Sequence, residues 1–156
     1  MGYADFRHRM PLRVRWAEID KQGVVFNAHY LLYCDVCVTE YWRAIDVRYP
    51  DDFVQHGSDL FVRKTTIEYF WSAYYDDELE ICGRIARIGD SSMSFVVEMY
   101  RRRQYEAMLT LAELVYVHAD PVSRTPSPIS AEMRSRIRAF ETVPPEDATQ
   151  PASHAS

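Results

Sequence analysis

Arg15-Trp16-Ala17-Glu18-Ile19-Asp20-Lys21-Gln22-Gly23-Val24-Val25-Phe26-Asn27-Ala28-His29-Tyr30 joins the end of a strand to the start of a helix and carries an acid through the join. Alternating Leu12, Val14 and Trp16 end the strand, and Asp20 to Gly23 form a polar turn in which Gly23 supplies a positive φ. Asn27 is the expected N-cap of the helix, whose apolar positions Leu31, Cys34, Val38, Tyr41 or Trp42, and Ile45 recur at three- and four-residue steps. The free first-turn N–H groups and the helix dipole favour negative charge. A carboxylate and an oxyanion site without a cationic side chain are thereby delivered to nearly the same place.

Outward from this segment, the chain turns to strands. Tyr49-Pro50-Asp51-Asp52 breaks regularity, and Phe53 to Asp59 reads as a connection. Phe61 to Trp71 is rich in β-branched and aromatic residues, with Thr65, Ile67, Tyr69 and Trp71 sharing one face. Tyr74 to Asp77 is a turn, Leu79, Ile81, Gly83 and Ile85 alternate in the next strand, and Gly89-Asp90 closes it with hairpin chemistry. Phe95, Val97 and Met99 mark a further strand, the Arg101-Arg102-Arg103-Gln104 turn follows, and Ala107 to Ala119 is the last. Ser130 to Phe140 reads as a short helix capped by Ser130. One early strand, a long helix and four consecutive antiparallel strands predict a single α+β domain over residues 1–141. The Pro-rich polar segment 142–156 reads as a flexible tail without core-forming capacity.

The chain has 156 residues, nearly half of them apolar, which is enough for one domain with a real core. A formal net charge of −5 argues against broad attraction to nucleic acid. No apolar run long enough for a membrane span occurs, and the first residues lack a secretory apolar region, so a cytoplasmic protein is expected. Cys34, Cys37 and Cys82 cannot all pair, and reduced thiols are expected. Cys34-Asp35-Val36-Cys37 has the spacing of half a zinc site, but nothing completes four ligands, and core packing is the better reading.

Asp20-x-x-Gly23-Val24-Val25-Phe26-Asn27-x-x-Tyr30 between a strand and a long apolar helix is followed in order by three further segments. These are Thr66-Ile67-Glu68-Tyr69, then Ala73-Tyr74-Tyr75-Asp76-Asp77-Glu78-Leu79-Glu80-Ile81, then Ile88-Gly89-Asp90-Ser91-Ser92-Met93-Ser94-Phe95. This pattern, running from Arg9 to Phe140, resembles the hotdog-fold acyl-CoA thioesterases of the 4-hydroxybenzoyl-CoA thioesterase type. The resemblance implies a five-stranded antiparallel sheet wrapped around a long central helix, and hydrolysis of an acyl-CoA thioester. It implies no metal or redox cofactor, coenzyme A being part of the substrate. It also implies a homodimer or homotetramer with sites between protomers; an acyl carrier protein thioester remains an open substrate.

The resemblance makes Asp20 the nucleophile or the general base that activates water, and puts at Asn27 the backbone N–H that polarises the carbonyl. Many relatives carry His or Tyr where this chain has Asn27, whose side chain either binds substrate or serves as the cap. Gly23, Val24, Phe26, His29, Tyr30, Thr66, Ser91 and Ser92 complete the candidate substrate-binding set. His29 also suits a hydrogen-bonded surface position, and Glu18 and Glu68 read as orienting or solvated charges. Coenzyme A phosphates need donors, for which Ser91, Ser92, Arg63, Lys64, Arg84, Arg87 and the Arg101 to Arg103 run are candidates. A binding module without turnover, and a hydratase or dehydratase needing a paired acid and base, are the alternatives.

Overall fold

A computed structural model describes residues 2–54 and 57–149, with the backbone alone at Val54. Five strands form one antiparallel sheet in the order β1-β3-β4-β5-β2: β1 (His8–Arg13), β2 (Asp59–Tyr69), β3 (Glu78–Ile88), β4 (Ser92–Arg101) and β5 (Gln104–Ala119). Pro11 has no amide hydrogen for a ladder, and its strand lies at the edge, paired only with β3. The β4–β5 hairpin is tighter than the four-residue turn expected: Arg101 pairs with Gln104, and Arg103 takes a φ of 69° between them. β2 ends at Tyr69, so Trp71 lies beyond the strand rather than on its face.

The helix α1 (His29–Ala44) packs across one face of the sheet, against β3, β1 and β4. Its buried face is Tyr30, Tyr33, Cys34, Cys37, Val38, Tyr41 and Trp42, which corrects the expected face by one position: Leu31 is exposed, and Tyr30 takes its place. The error has a physical source, because Leu31, Leu32 and Val36 give the helix a second apolar stripe that the isolated chain leaves in solvent. At the packing layer the Tyr41 ring meets Phe95 at 4.9 Å and Phe140 at 5.5 Å, both edge-on. Gly83 is required there: a Cβ would stand 2.7 Å from Cys37 Sγ and 2.7 Å from the Phe95 ring, so only glycine lets helix and sheet approach so closely.

Two short helices complete the frame, α2 (Asp51–Val54) within the connection after α1 and α3 (Ala131–Phe140). Ser130 caps α3 as expected, its hydroxyl accepting from the Met133 N–H at 3.1 Å. The segment following α3 departs from the flexible tail expected from residue 142. Glu146–Asp147 forms a sixth strand, β6, parallel to β3 at Arg87 and Ile88, and Asp147 pairs with Arg138. Backbone ladder bonds hold it, and these are blind to the polar composition that suggested a tail. Residues 150–156 of that expected tail lie outside the described residues.

The outer face of the sheet is also covered in part. Residues 2–7 lie over Cys82, Val96 and Tyr100, with Phe6 buried among them and Tyr3 stacked on Tyr105 at 3.9 Å.

Candidate active site

The acid-bearing segment folds back on itself as a small hairpin. The Asp20 N–H donates to the Val24 carbonyl at 3.0 Å, the Gly23 N–H donates to the Asp20 carbonyl at 3.0 Å, and Gly23 has a φ of 77°. The turn read from the sequence therefore exists, and its glycine is needed for the left-handed backbone. The hairpin is stitched to the chain after β2: Val24 bridges to Tyr74, and the Val25 N–H donates to the Ala73 carbonyl at 2.9 Å. Asp20 Oδ1 accepts from the Gln22 N–H at 2.7 Å, while Oδ2 takes no hydrogen bond among the described residues.

Two tyrosines fix the helix entrance to this loop. The Ala73 N–H donates to the Tyr30 hydroxyl at 3.0 Å, the Tyr69 hydroxyl donates to the Asn27 carbonyl at 3.1 Å, and the two rings meet at 5.4 Å. Between them opens a cleft of about 460 Å³ lined by Asp20, Val24, Asn27, Tyr30, Trp71 and Tyr74, among others. Asn27 is not the N-cap. That position is Ala28, which already has helical backbone angles (φ −68°, ψ −24°), and no side chain caps α1. Among the described residues the Asn27 and Ala28 N–H groups have no acceptor, so the cleft borders uncapped amides. A developing oxyanion is the kind of group such amides bind.

Of the two readings of Glu18, orienting or solvated charge, the structure fits the first: it is buried and holds the loop. Its carboxylate accepts from the Tyr33 hydroxyl at 2.9 Å, the Arg15 N–H at 2.8 Å and the Arg15 guanidinium at 2.7 Å, and its carbonyl accepts from the Phe26 N–H at 2.9 Å. Burial pushes the Glu18 carboxyl up, but these donors outweigh burial and hold it below the ordinary value. Tyr33 is raised by burial first and by the Glu18 carboxylate second.

The candidate residues divide in space. Asp20, Val24, Asn27 and Tyr30 meet at the cleft, with Gly23 shaping the turn. Phe26 and His29 form an edge-on pair at 6.1 Å beside the helix start, where His29 Nδ1 is buried without a partner among the described residues. Thr66 is exposed on β2, opposite Glu113. Ser91 and Ser92 lie at the other end of the sheet: Ser92 pairs with Val117 and Tyr69 with Thr110, so about 23 Å of β5 separates them. Arg84 is buried beneath the Val143 carbonyl rather than at a rim, and Arg101 binds Asp77 and the Ser72 carbonyl. Sequence reasoning missed Tyr69, Ser72 and Tyr74 as cleft residues, although the aromatic run ending β2 was the available signal. Among the described residues no group of three or more His, Cys, Asp or Glu could hold a metal ion.

A family model described as the thioesterase-like superfamily matches residues 14–137, which span the acid-bearing loop, α1 and strands β2 to β5. The chain belongs to the thioesterase-like superfamily. Within this superfamily it is similar to the acyl-CoA thioester hydrolase YbgC of Escherichia coli O157:H7, with 30% identity over 118 residues that cover 76% of this chain and 86% of the relative. The YbgC of Shigella flexneri matches to the same extent. Among solved structures, the 1,4-dihydroxy-2-naphthoyl-CoA thioesterase Slr0204 from Synechocystis superposes with a TM-score of 0.76 at 18% identity, covering 83% of this chain and 94% of that one. DHNA-CoA thioesterase from Staphylococcus aureus gives 0.75 at 17%, covering 84% and 90%. The helix cradled by an antiparallel sheet is thus the hotdog fold of thioesterase-like proteins.

Proposed function

We propose that this chain hydrolyses an acyl-CoA thioester to a free carboxylic acid and coenzyme A, with chemistry centred on Asp20. The observation that carries the reading is the meeting of the Asp20 carboxylate with uncapped amides at the start of α1 in one cleft. The membership in a thioesterase family and the names of the 30%-identical relatives support the substrate class. Asp20 Oδ2 attacks the thioester carbonyl carbon or removes a proton from the water that does. The carbonyl oxygen gains negative charge as it becomes tetrahedral, and in this reading the uncapped N–H groups of Asn27 and Ala28 at the helix start receive it. A carboxylate is a weak base, so positioning and oxyanion binding must supply much of the rate. Exposed aromatics around the cleft and the apolar stripe of Leu31, Leu32 and Val36 support a homodimer or larger homo-oligomer, which light scattering after gel filtration would measure.

The test is thiol release from aromatic, short-chain and long-chain acyl-CoA esters by wild type and Asp20→Asn. The near-isosteric amide should fold and bind ester while kcat falls by at least about a hundredfold. Near-normal turnover by the variant would remove Asp20 from the chemistry. Ligand binding with no turnover by either protein would identify a binding module instead.

A further inference from the structure

A larger cleft, about 640 Å³, lies at the end of the sheet remote from Asp20, between the start of β2, the end of β5 and α3. Ser58 and His118 both line it. Ser58 is 2% exposed, and its Oγ lies 2.6 Å from His118 Nε2, with the Phe53 carbonyl a more distant acceptor at 3.3 Å. His118 Nδ1 lies 3.1 Å from the Ser127 carbonyl. A carbonyl oxygen can only accept, so Nδ1 carries the proton and, in the neutral ring, Nε2 must accept from the serine hydroxyl. The edge-on contact of the imidazole with Phe53 at 5.9 Å further holds the ring. A serine hydroxyl donating to an imidazole oriented by a third group is the arrangement that activates an oxygen nucleophile.

We propose that Ser58 is the nucleophile of a second acyl-transfer centre, directed at uncharged carboxylic esters with an apolar acyl group. The floor of the cleft is apolar, made by Val47, Phe53, Met93 and Ile129. Its cations are already engaged: Arg48 pairs with Asp52 at 3.0 Å, and Arg136 pairs with Glu132 at 2.8 Å and donates to the Asp46 carbonyl at 2.7 Å. Among the described residues an anionic ligand would find no unengaged cation at that rim, whereas a neutral ester needs none. Ser58 Oγ bonds to the ester carbonyl carbon as its proton passes to His118 Nε2. The C–O bond to the alcohol then breaks, and the departing oxygen takes that proton. Water repeats the sequence on the acyl-serine: its proton goes to Nε2, the acid is released, and Ser58 Oγ is reprotonated.

The primary labelling uses the intact wild-type protein. An alkyl fluorophosphonate is added and the adduct is located by peptide mass spectrometry, while p-nitrophenyl butyrate hydrolysis is followed in parallel. A single adduct on Ser58 is expected. Labelling should be slowed at least about a hundredfold in His118→Asn and unchanged in Asp20→Asn, which separates this centre from the thioester reaction. Absence of a Ser58 adduct, or butyrate hydrolysis by folded Asp20→Asn that persists when Ser58→Ala is added to it, would overturn the proposal.

Discussion

Glu18 ties the acid-bearing loop to the central helix, and its partners predict the effect of losing one. Tyr33→Phe keeps the ring but removes a donor from a buried carboxylate, which should cost about 1.5–3 kcal/mol in urea unfolding, since hydrogen bonds to charged groups are the stronger ones. The cysteines make a separate prediction. Burial pushes Cys34 and Cys82 up to about 12 and Cys37 well above the ordinary thiol value, so native protein at pH 8 should resist alkylation by iodoacetamide while all three react in guanidinium. Rapid native labelling of Cys34 or Cys37 would show that α1 opens readily, and of Cys82 that residues 2–7 lift from the outer face of the sheet. Asp20 and Gly23 were legible because a turn needing positive φ leaves a mark in local sequence. The significance of Glu18 was not, because its donors come from Arg15 and from Tyr33 on the next element, and only folding brings that hydroxyl within reach.

At the scale of elements, the contact of α1 with β3 hangs on Gly83. Gly83→Ala must displace both Cys37 Sγ and the Phe95 ring, an overpacking expected to cost about 1–3 kcal/mol and to lower Tm by a few degrees in calorimetry. An unchanged Tm would mean that the layer can spread at no cost. The helix itself was legible from its three- and four-residue spacing, but its rotation was not: with apolar residues on two sides, hydrophobicity alone does not say which side meets the sheet. The N-cap was misread for a related reason. Asn is a favoured capping residue, yet the carbonyl of Asn27 is held by Tyr69, and Ala28 makes the entry into the helix instead. Strand β6 left no hydrophobic trace because it joins the sheet through its backbone.

For the whole molecule, two buried carboxylates pull stability in opposite directions with pH. Burial raises Glu141 above its ordinary 4.5, despite hydrogen bonds from Tyr41 and the Ile85 N–H. Its contribution is full below 4.5 and is lost as pH rises through the folded-state value. Glu18 is depressed, so its contribution is present above 4.5 and lost as pH falls through its folded-state value. Glu141→Gln should therefore gain stability relative to wild type as pH rises, a trend that urea midpoints across pH 4 to pH 8 would detect; a constant difference would contradict it. The fold's three tryptophans offer an optical consequence. Trp42 is 2% exposed beneath the sheet, whereas Trp71, on the cleft, is 65% exposed and Trp16, packed edge-on to Tyr75, is 74% exposed. Fluorescence from one molecule then has two independent channels: a blue-emitting core probe that follows unfolding, and red emission in which the Trp71 part shifts when something covers the cleft. Phenylalanine substitution at Trp42, or at Trp16 and Trp71 together, would isolate each channel.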